Sequence, residues 1–340
     1  MNISNGETMK SIIIKKKKEI EIIHTNCEAV RAGQVRIKMI ACGICGTDKH
    51  FYFESETPIT FWGHEAIGIV VECGEDVSEE LLNKFVVTKA TVPCEKCYHC
   101  KIGQKQSCQK FSRYKYNGFS EYIVIPLNLV VILPIEKFKI EYVLTEPLYV
   151  ALDIVKKIPP DKKCKILVSG LGTIGLLTLF LLNKYGFQNV FCYNRSTYEM
   201  VNRKLIYWKI REPYHDISKI KDKYDVIINT APYYTIPSFI PMINYNGTLI
   251  FNGIHSVNNV LLDLHIIHFN KISLLPSFPH PQESFQESIN IITKYADELN
   301  WMITHSAPIE ESYVLFSSFE NKKQVIIKAI ITNDEIFKKK

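Results

Sequence analysis

The chain has 340 residues, enough for two domains of ordinary size. With 46% hydrophobic and 22% charged residues it can bury a core without disulfide staples. Its formal charge of +6 is too mild for a typical nucleic-acid binder, and no apolar stretch is long enough to span a bilayer.

Taken in chain order, Met1–Met9 is polar and carries no secretion signal, so the expectation is a cytoplasmic protein with neither a membrane nor a nucleic-acid partner. The basic runs Lys15–Lys18 and Lys338–Lys340 read as a solvated edge and a frayed tail. Ile12–Ile14, Val35–Met39, Ala66–Val71, Phe85–Val87 and Tyr122–Ile125 are apolar runs broken by Gly, Pro and polar turns. They predict strands of a β-rich, barrel-like domain. Near Leu144 the pattern changes. Pro147 falls where a helix start tolerates a missing N–H, and Val150, Ile154, Val155 and Ile158 follow at helical spacing. From Lys165, strand and helix alternate: Ile166–Val168, the helix Leu176–Lys184, then strands at Val190–Tyr193, Asp225–Asn229 and Thr248–Phe251. That alternation predicts an α/β domain on a parallel sheet. After about residue 280 the chain is expected to return to the first domain. The expected division is 1–145, 146–280 and 281–340.

Ten cysteines in a chain of this length, with no secretion signal, suggest metal ligation and buried thiols. Cys94, Cys97, Cys100 and Cys108 lie within 15 residues, in a loop spanning 93–109. Four thiolates so spaced can close around one tetrahedral Zn²⁺ and leave no open position, so this is a candidate structural site. His99, inside the cluster, is a spare donor. Cys45 and His64 lie in separate segments and neither alone implies a metal. Cys45 is followed by Gly46, which permits a sharp turn, and His64 is preceded by Gly63. Asp48 is placed to fix the imidazole tautomer of a ligating histidine. Glu65 offers a carboxylate beside His64.

Gly170-x-Gly172-x-x-Gly175 follows the predicted strand Ile166–Val168 and opens the next helix, the context a dinucleotide cradle requires. Gly170 permits the turn, Gly172 lets a pyrophosphate approach, and Gly175 lets helix and strand pack. The phosphates then meet the backbone of Thr173 and Ile174 at the helix start. Nineteen residues after Gly175, Asn194 occupies the place where an acidic residue would bind ribose hydroxyls, and Arg195 adjoins it. Together they favour NADP(H), with NAD(H) usable if Arg195 merely stacks on adenine.

Gly43–Asp48, Gly63–Gly68, the four-cysteine loop and Gly118–Tyr122 resemble the zinc-dependent medium-chain dehydrogenase/reductase family, over about residues 10–332. The resemblance implies a GroES-like catalytic domain and a Rossmann cofactor domain. It also implies two zinc ions per chain: a catalytic one on Cys45 and His64, with Glu65 and Glu146 as direct or water-bridged ligands, and a structural one on Cys94, Cys97, Cys100 and Cys108. Thr47 then matches the hydroxyl that takes the substrate proton, and His50 a histidine that relays it. Glu146 stands where simple alcohol dehydrogenases usually carry cysteine and polyol dehydrogenases often carry glutamate. The expected substrate is therefore a polyol, sugar or cyclitol, with a simple alcohol as the alternative. A non-catalytic NADPH-binding protein on the same fold is the alternative of another class. A homodimer or homotetramer is implied. One departure is Asn83-Lys84, where the family usually has a Gly-Asp turn.

Overall fold

The computed structural model describes residues 8–110, 112–113, 115–135, 138–196, 198–253, 259–278, 282–321 and 324–333. The terminal run Lys338–Lys340 lies outside them. The chain forms two units, one of residues 1–146 and 280–340, the other of residues 147–279.

The first unit is built on a mixed sheet of seven strands. Its order is Ile303–Pro308, Lys328–Thr332, Gln34–Ile44, Glu65–Cys73, Phe85–Thr88 and Val130–Ile132, with Tyr122–Pro126 also paired to Gln34–Ile44. The central strand Gln34–Ile44 is buried along almost its whole length, as its run of Val, Ile, Met and Ala dictates. Ile12, Ile14, Val35, Ile37, Val70, Phe119 and Phe316 form the core beneath it. Trp62 anchors the segment that leads to His64. Its indole N–H donates to the Ile12 carbonyl at 2.7 Å, and its ring meets Phe119 edge-on and stacks on Phe316.

A hairpin of Thr8–Lys16 and Glu19–Asn26 precedes this sheet. Lys17 and Lys18 form its turn, Lys15 and Lys16 end its first strand, and each lysine of the run faces a carboxylate: Lys15 faces Glu19 and Glu21, Lys16 Glu19, Lys17 Glu54, and Lys18 Glu320. All four lysines are exposed, as expected of a solvated edge. Asn83 explains the departure at the Gly-Asp turn: its φ is +64°, in the left-handed region that Asn tolerates best after Gly.

The second unit holds a parallel sheet in the order Asn189–Tyr193, Lys165–Ser169, Tyr224–Asn229, Ile243–Asn252, Ser273–Ser277. Leu167, Ile227, Phe239, Ile240 and Leu249 pack into one core cluster. The helix Thr173–Lys184 is buried from Gly175 through Leu182, so it is apolar around its whole circumference. The topology is doubly wound α/β in this unit and β-rich, GroES-like in the other.

Candidate active site and metal centres

Cys45 ends the central strand and caps the helix Gly46–Glu54. The sharp turn expected at Gly46 is thus a helix start. The Asp48 amide donates to the Cys45 sulfur at 3.4 Å, and the Cys45 amide donates to Asp48 Oδ2 at 2.8 Å. This is a capping box with a thiol in the place of serine. The other Asp48 oxygen accepts the Gly63 amide at 3.1 Å. Asp48 therefore ties the Cys45 turn to the Gly63-His64 turn through backbone amides, a different task from orienting an imidazole. Gly63 has φ +72°, and a Cβ there would lie 2.9 Å from the Phe119 ring. The Tyr116 hydroxyl donates to the His64 carbonyl at 3.4 Å.

These constraints bring the Cys45 sulfur, an Asp48 carboxylate oxygen and a His64 ring nitrogen within 4.8 Å of one another. Nδ1 of His64 lies 4.0 Å from the Cys45 sulfur, and Nε2 lies 4.0 Å from the Glu146 carboxylate. The ring stands between thiol and carboxylate, so a cation shared by all three requires it to rotate and offer a single nitrogen. Burial, then the charges of Asp48 and Glu65, pushes the Cys45 thiol well above its usual range. A divalent cation reverses that balance, because a coordinated thiol is deprotonated. A buried sulfur, an imidazole and a carboxylate fit Zn²⁺.

Glu65 is not brought into this group. Both its oxygens face the Lys328 ammonium, at 2.8 and 2.5 Å, and both side chains are about 2% exposed. Lys328 also donates to the Ile44 carbonyl at 3.3 Å, next to Cys45. Gly43 leaves room for the pair: a Cβ there would sit 2.0 Å from a Glu65 oxygen. Lys328, 263 residues from its partner, carries no local signal in the sequence. Thr47 and His50 both lie, half-buried, on the helix Gly46–Glu54.

The lobe of Cys94, Cys97, Cys100 and Cys108 begins after Thr91–Val92, which pairs with Ser112–Arg113 to close its neck. The sulfurs lie 3.5 Å (97 to 100), 3.9 Å (94 to 100) and 3.9 Å (97 to 108) apart. A tetrahedron with Zn–S bonds of about 2.3 Å needs sulfurs about 3.8 Å apart, so the cluster fits the ion. The amides of Lys96 and Cys97 hold the Cys94 thiol down to about 6, whereas desolvation pushes Cys100 up to about 12.

In the other unit, Gly170 has φ +93°, and a Cβ on Gly175 would fall 1.8 Å from the Gly170 carbonyl oxygen. Gly172 is the N-cap of Thr173–Lys184, no side chain caps this helix, and a Cβ on Gly172 would meet nothing within 4 Å. The first turn, with Thr173 and Ile174, is thus left open to an anion, as a pyrophosphate cradle requires. The Leu171 amide donates to Asn194 Oδ1 at 3.2 Å, so Asn194 pins the glycine loop. His215, which sequence reasoning passes over, places Nδ1 2.8 Å from the Asn194 carbonyl oxygen, and Arg195 is exposed beside it.

Residues 31–135 match the alcohol dehydrogenase GroES-like domain. A solved structure of RspB from Escherichia coli CFT073, complexed with NADH, superposes with a TM-score of 0.84 at 25% identity, covering 96% of this chain and all of that one. The chain thus carries an alcohol dehydrogenase GroES-like domain and is similar over nearly its whole length to RspB. Among relatives, the starvation-sensing protein RspB of E. coli K12 is 32% identical over 196 residues, 55% of this chain and 57% of that protein. The match thus spans little more than half the length of that relative. D-arabinitol dehydrogenase 1 of Uromyces fabae is 26% identical over 328 residues, 89% of this chain and 91% of that enzyme. Among the described residues, no helix is long and apolar enough to cross a membrane.

Proposed function

We propose that this chain is a zinc-dependent dehydrogenase that moves a hydride between NAD(P) and a hydroxyl of a polyol, sugar or cyclitol, with NADP(H) the preferred cofactor. The observation that supports the reading is the Glu146 carboxylate, 4.0 Å from one nitrogen of the His64 ring whose other nitrogen lies 4.0 Å from the Cys45 sulfur, which we read as an oxygen ligand of that site. An oxygen ligand yields more readily than a thiolate to a second substrate oxygen, which suits vicinal hydroxyls. D-arabinitol dehydrogenase 1, similar over nine-tenths of this chain, is named for a polyol.

Cys45, His64 and Glu146 hold the catalytic zinc in this reading, and Cys94, Cys97, Cys100 and Cys108 the structural one. When bound, the catalytic ion supplies Lewis acidity toward the substrate hydroxyl and the nicotinamide takes the hydride. Lys328 keeps Glu65 off the ion. Thr47 accepts the substrate proton and His50 passes it to solvent. Gly170, Gly172 and Gly175, with the amides of Thr173 and Ile174, hold the pyrophosphate. Asn194 positions that loop and presents no carboxylate to repel a 2′-phosphate, and Arg195 pairs with it. The protein acts in the cytoplasm as a homodimer or homotetramer.

Initial rates on polyols, aldoses, cyclitols, ethanol and benzyl alcohol, each with NADP⁺ and NAD⁺, test this reading. The highest kcat/KM is expected on a polyhydroxylated substrate with NADP⁺. A higher value for ethanol or benzyl alcohol returns the chain to the simple-alcohol branch. Dinucleotide binding without turnover of anything assigns it to the non-catalytic alternative.

A further inference from the structure

The first unit holds a cavity of about 230 Å³ that no step of the proposed reaction uses. It is lined by the hairpin of Thr8–Lys16 and Glu19–Asn26 and by the paired strands Gln34–Ile44 and Tyr122–Pro126. Met9, Ile13, Ile23 and Phe61 make its wall apolar, and Thr25 and Arg36 bring polar atoms to it.

Arg36 comes from the central strand, and its side chain is 2% exposed. Its Nε donates to a Glu72 oxygen at 2.7 Å, across the strand pairing of Arg36 with Glu72. Its Nη1 is buried and has no hydrogen-bond partner. The Thr25 Oγ1, contributed by the hairpin, is likewise buried without a partner. Other polar side chains of the same wall are satisfied. Ser120 donates to the carbonyls of Asn117 and Tyr122. Asn117 donates to the Ile12 carbonyl and accepts the Phe119 amide. The Tyr116 hydroxyl meets Thr88 and the His64 carbonyl.

A buried donor without an acceptor bears its full desolvation cost, and a charged donor bears more. Two such groups on one cavity point to a partner from outside the chain. Water alone would meet the polar end and leave the apolar wall wetted. An apolar cavity of about 150 Å³ holds benzene, so this one has room for a ring-sized apolar body with a polar head. The guanidinium is cationic and donor-only, and the hydroxyl can donate beside it, which suits a head with two acceptor oxygens. Lys115, with its ammonium 5.9 Å from the centre of the Phe61 ring, adds positive charge to the wall. Glu28 is the one carboxylate among the described residues that line the cavity, and it is exposed. Glu72 already shares the Arg36 charge, so the site suits a monoanionic carboxylate better than a phosphate dianion.

We propose that this cavity binds a small organic carboxylate with an apolar body, its oxygens accepting from Arg36 Nη1 and the Thr25 hydroxyl. Neither Cys45, His64 and Glu146 nor the glycine loop lines it, so the inference does not rest on the dehydrogenase reading.

Isothermal titration calorimetry on the zinc-loaded protein tests it, with benzoate as the probe and benzamide as its neutral counterpart. The same titrations are run on Thr25→Val and Arg36→Met, with folding checked by circular dichroism. A crystal soaked in 4-bromobenzoate locates the ring by the anomalous signal of bromine. The wild type should bind benzoate at least about 10-fold more tightly than benzamide. Benzoate affinity should fall about 10- to 100-fold in Arg36→Met and about 3- to 10-fold in Thr25→Val. The bromine should lie beside Met9, Ile23 or Phe61. Equal affinity for benzoate and benzamide, or an unchanged benzoate Kd in Thr25→Val, would overturn the proposal. So would a bromine peak elsewhere, at the Cys45 site for example, or no saturable binding up to about 10 mM. If Arg36→Met does not fold, Thr25→Val and the benzamide comparison decide the question.

Discussion

Replacing Lys328 by methionine isolates the ion pair that keeps Glu65 away from the catalytic centre. The two side chains are about 2% exposed, and the ammonium contacts both carboxylate oxygens. Removing the cation leaves a carboxylate in a nearly dry site with no counter-charge, which costs about 3–5 kcal/mol. The same change removes the bond to the Ile44 carbonyl, a smaller loss of about 1 kcal/mol. For a domain of this size each kcal/mol moves the melting midpoint by about 2–4 °C. Lys328→Met should therefore melt roughly 8–24 °C lower by differential scanning calorimetry. Lys328→Met combined with Glu65→Met should recover most of the loss, since an apolar pair of similar volume replaces a buried ion pair at little cost. A single variant that melts within about 2 °C of the wild type would refute the claim that the pair stabilises the fold. A double variant no more stable than the single one would place the loss in packing rather than charge.

Other consequences follow from the same geometry. In zinc-stripped protein at pH 7, iodoacetamide should modify Cys94, whose thiol is held down to about 6, before Cys100, pushed up to about 12; equal labelling would contradict the asymmetry of the lobe. Because the Cys94 value is depressed, its thiolate is lost as pH falls through about 6, so labelling of Cys94 should fade at pH 5. Cys45→Ser or His64→Ala should abolish turnover with dinucleotide Kd nearly unchanged, and Thr47→Val should lower kcat sharply with zinc retained by elemental analysis. Full activity of the Thr47 variant would remove it from the proton path. Arg195→Ala should weaken NADPH by about 1–3 kcal/mol and barely affect NADH, measured by fluorescence titration; equal losses would mean that Arg195 stacks on adenine.

The parts legible in the sequence are those whose geometry is local. Gly170, Gly172 and Gly175 fix a turn, an open helix end and a close helix–strand contact within six residues, and the structure realises all three. The four lobe cysteines converge for the same reason. The strand Glu19–Asn26 has visible alternation in its Glu-Ile-Glu-Ile start, and its pairing with Thr8–Lys16 explains why Lys17 and Lys18 form a turn. Long-range electrostatics are not legible. Nothing near Glu65 signals that Lys328 will take both of its oxygens, because that meeting depends on the antiparallel pairing of Lys328–Thr332 with Gln34–Ile44. Asp48 is a middle case. Its spacing of three from Cys45 is that of a capping box, but a thiol in the cap position hides the pattern.

The central claim is that Cys45, His64 and Glu146 hold one zinc while Glu65 is withheld. A crystal structure of the zinc-loaded protein, with anomalous difference maps on either side of the zinc absorption edge, tests it most directly. The account predicts two peaks. One should be surrounded by the sulfurs of Cys94, Cys97, Cys100 and Cys108. The other should be bound by the Cys45 sulfur, one His64 nitrogen and the Glu146 carboxylate, directly or through one water, with Glu65 still on Lys328. A second peak bound by Glu65 or Asp48 in place of Glu146, or no second peak at full zinc loading, would contradict it.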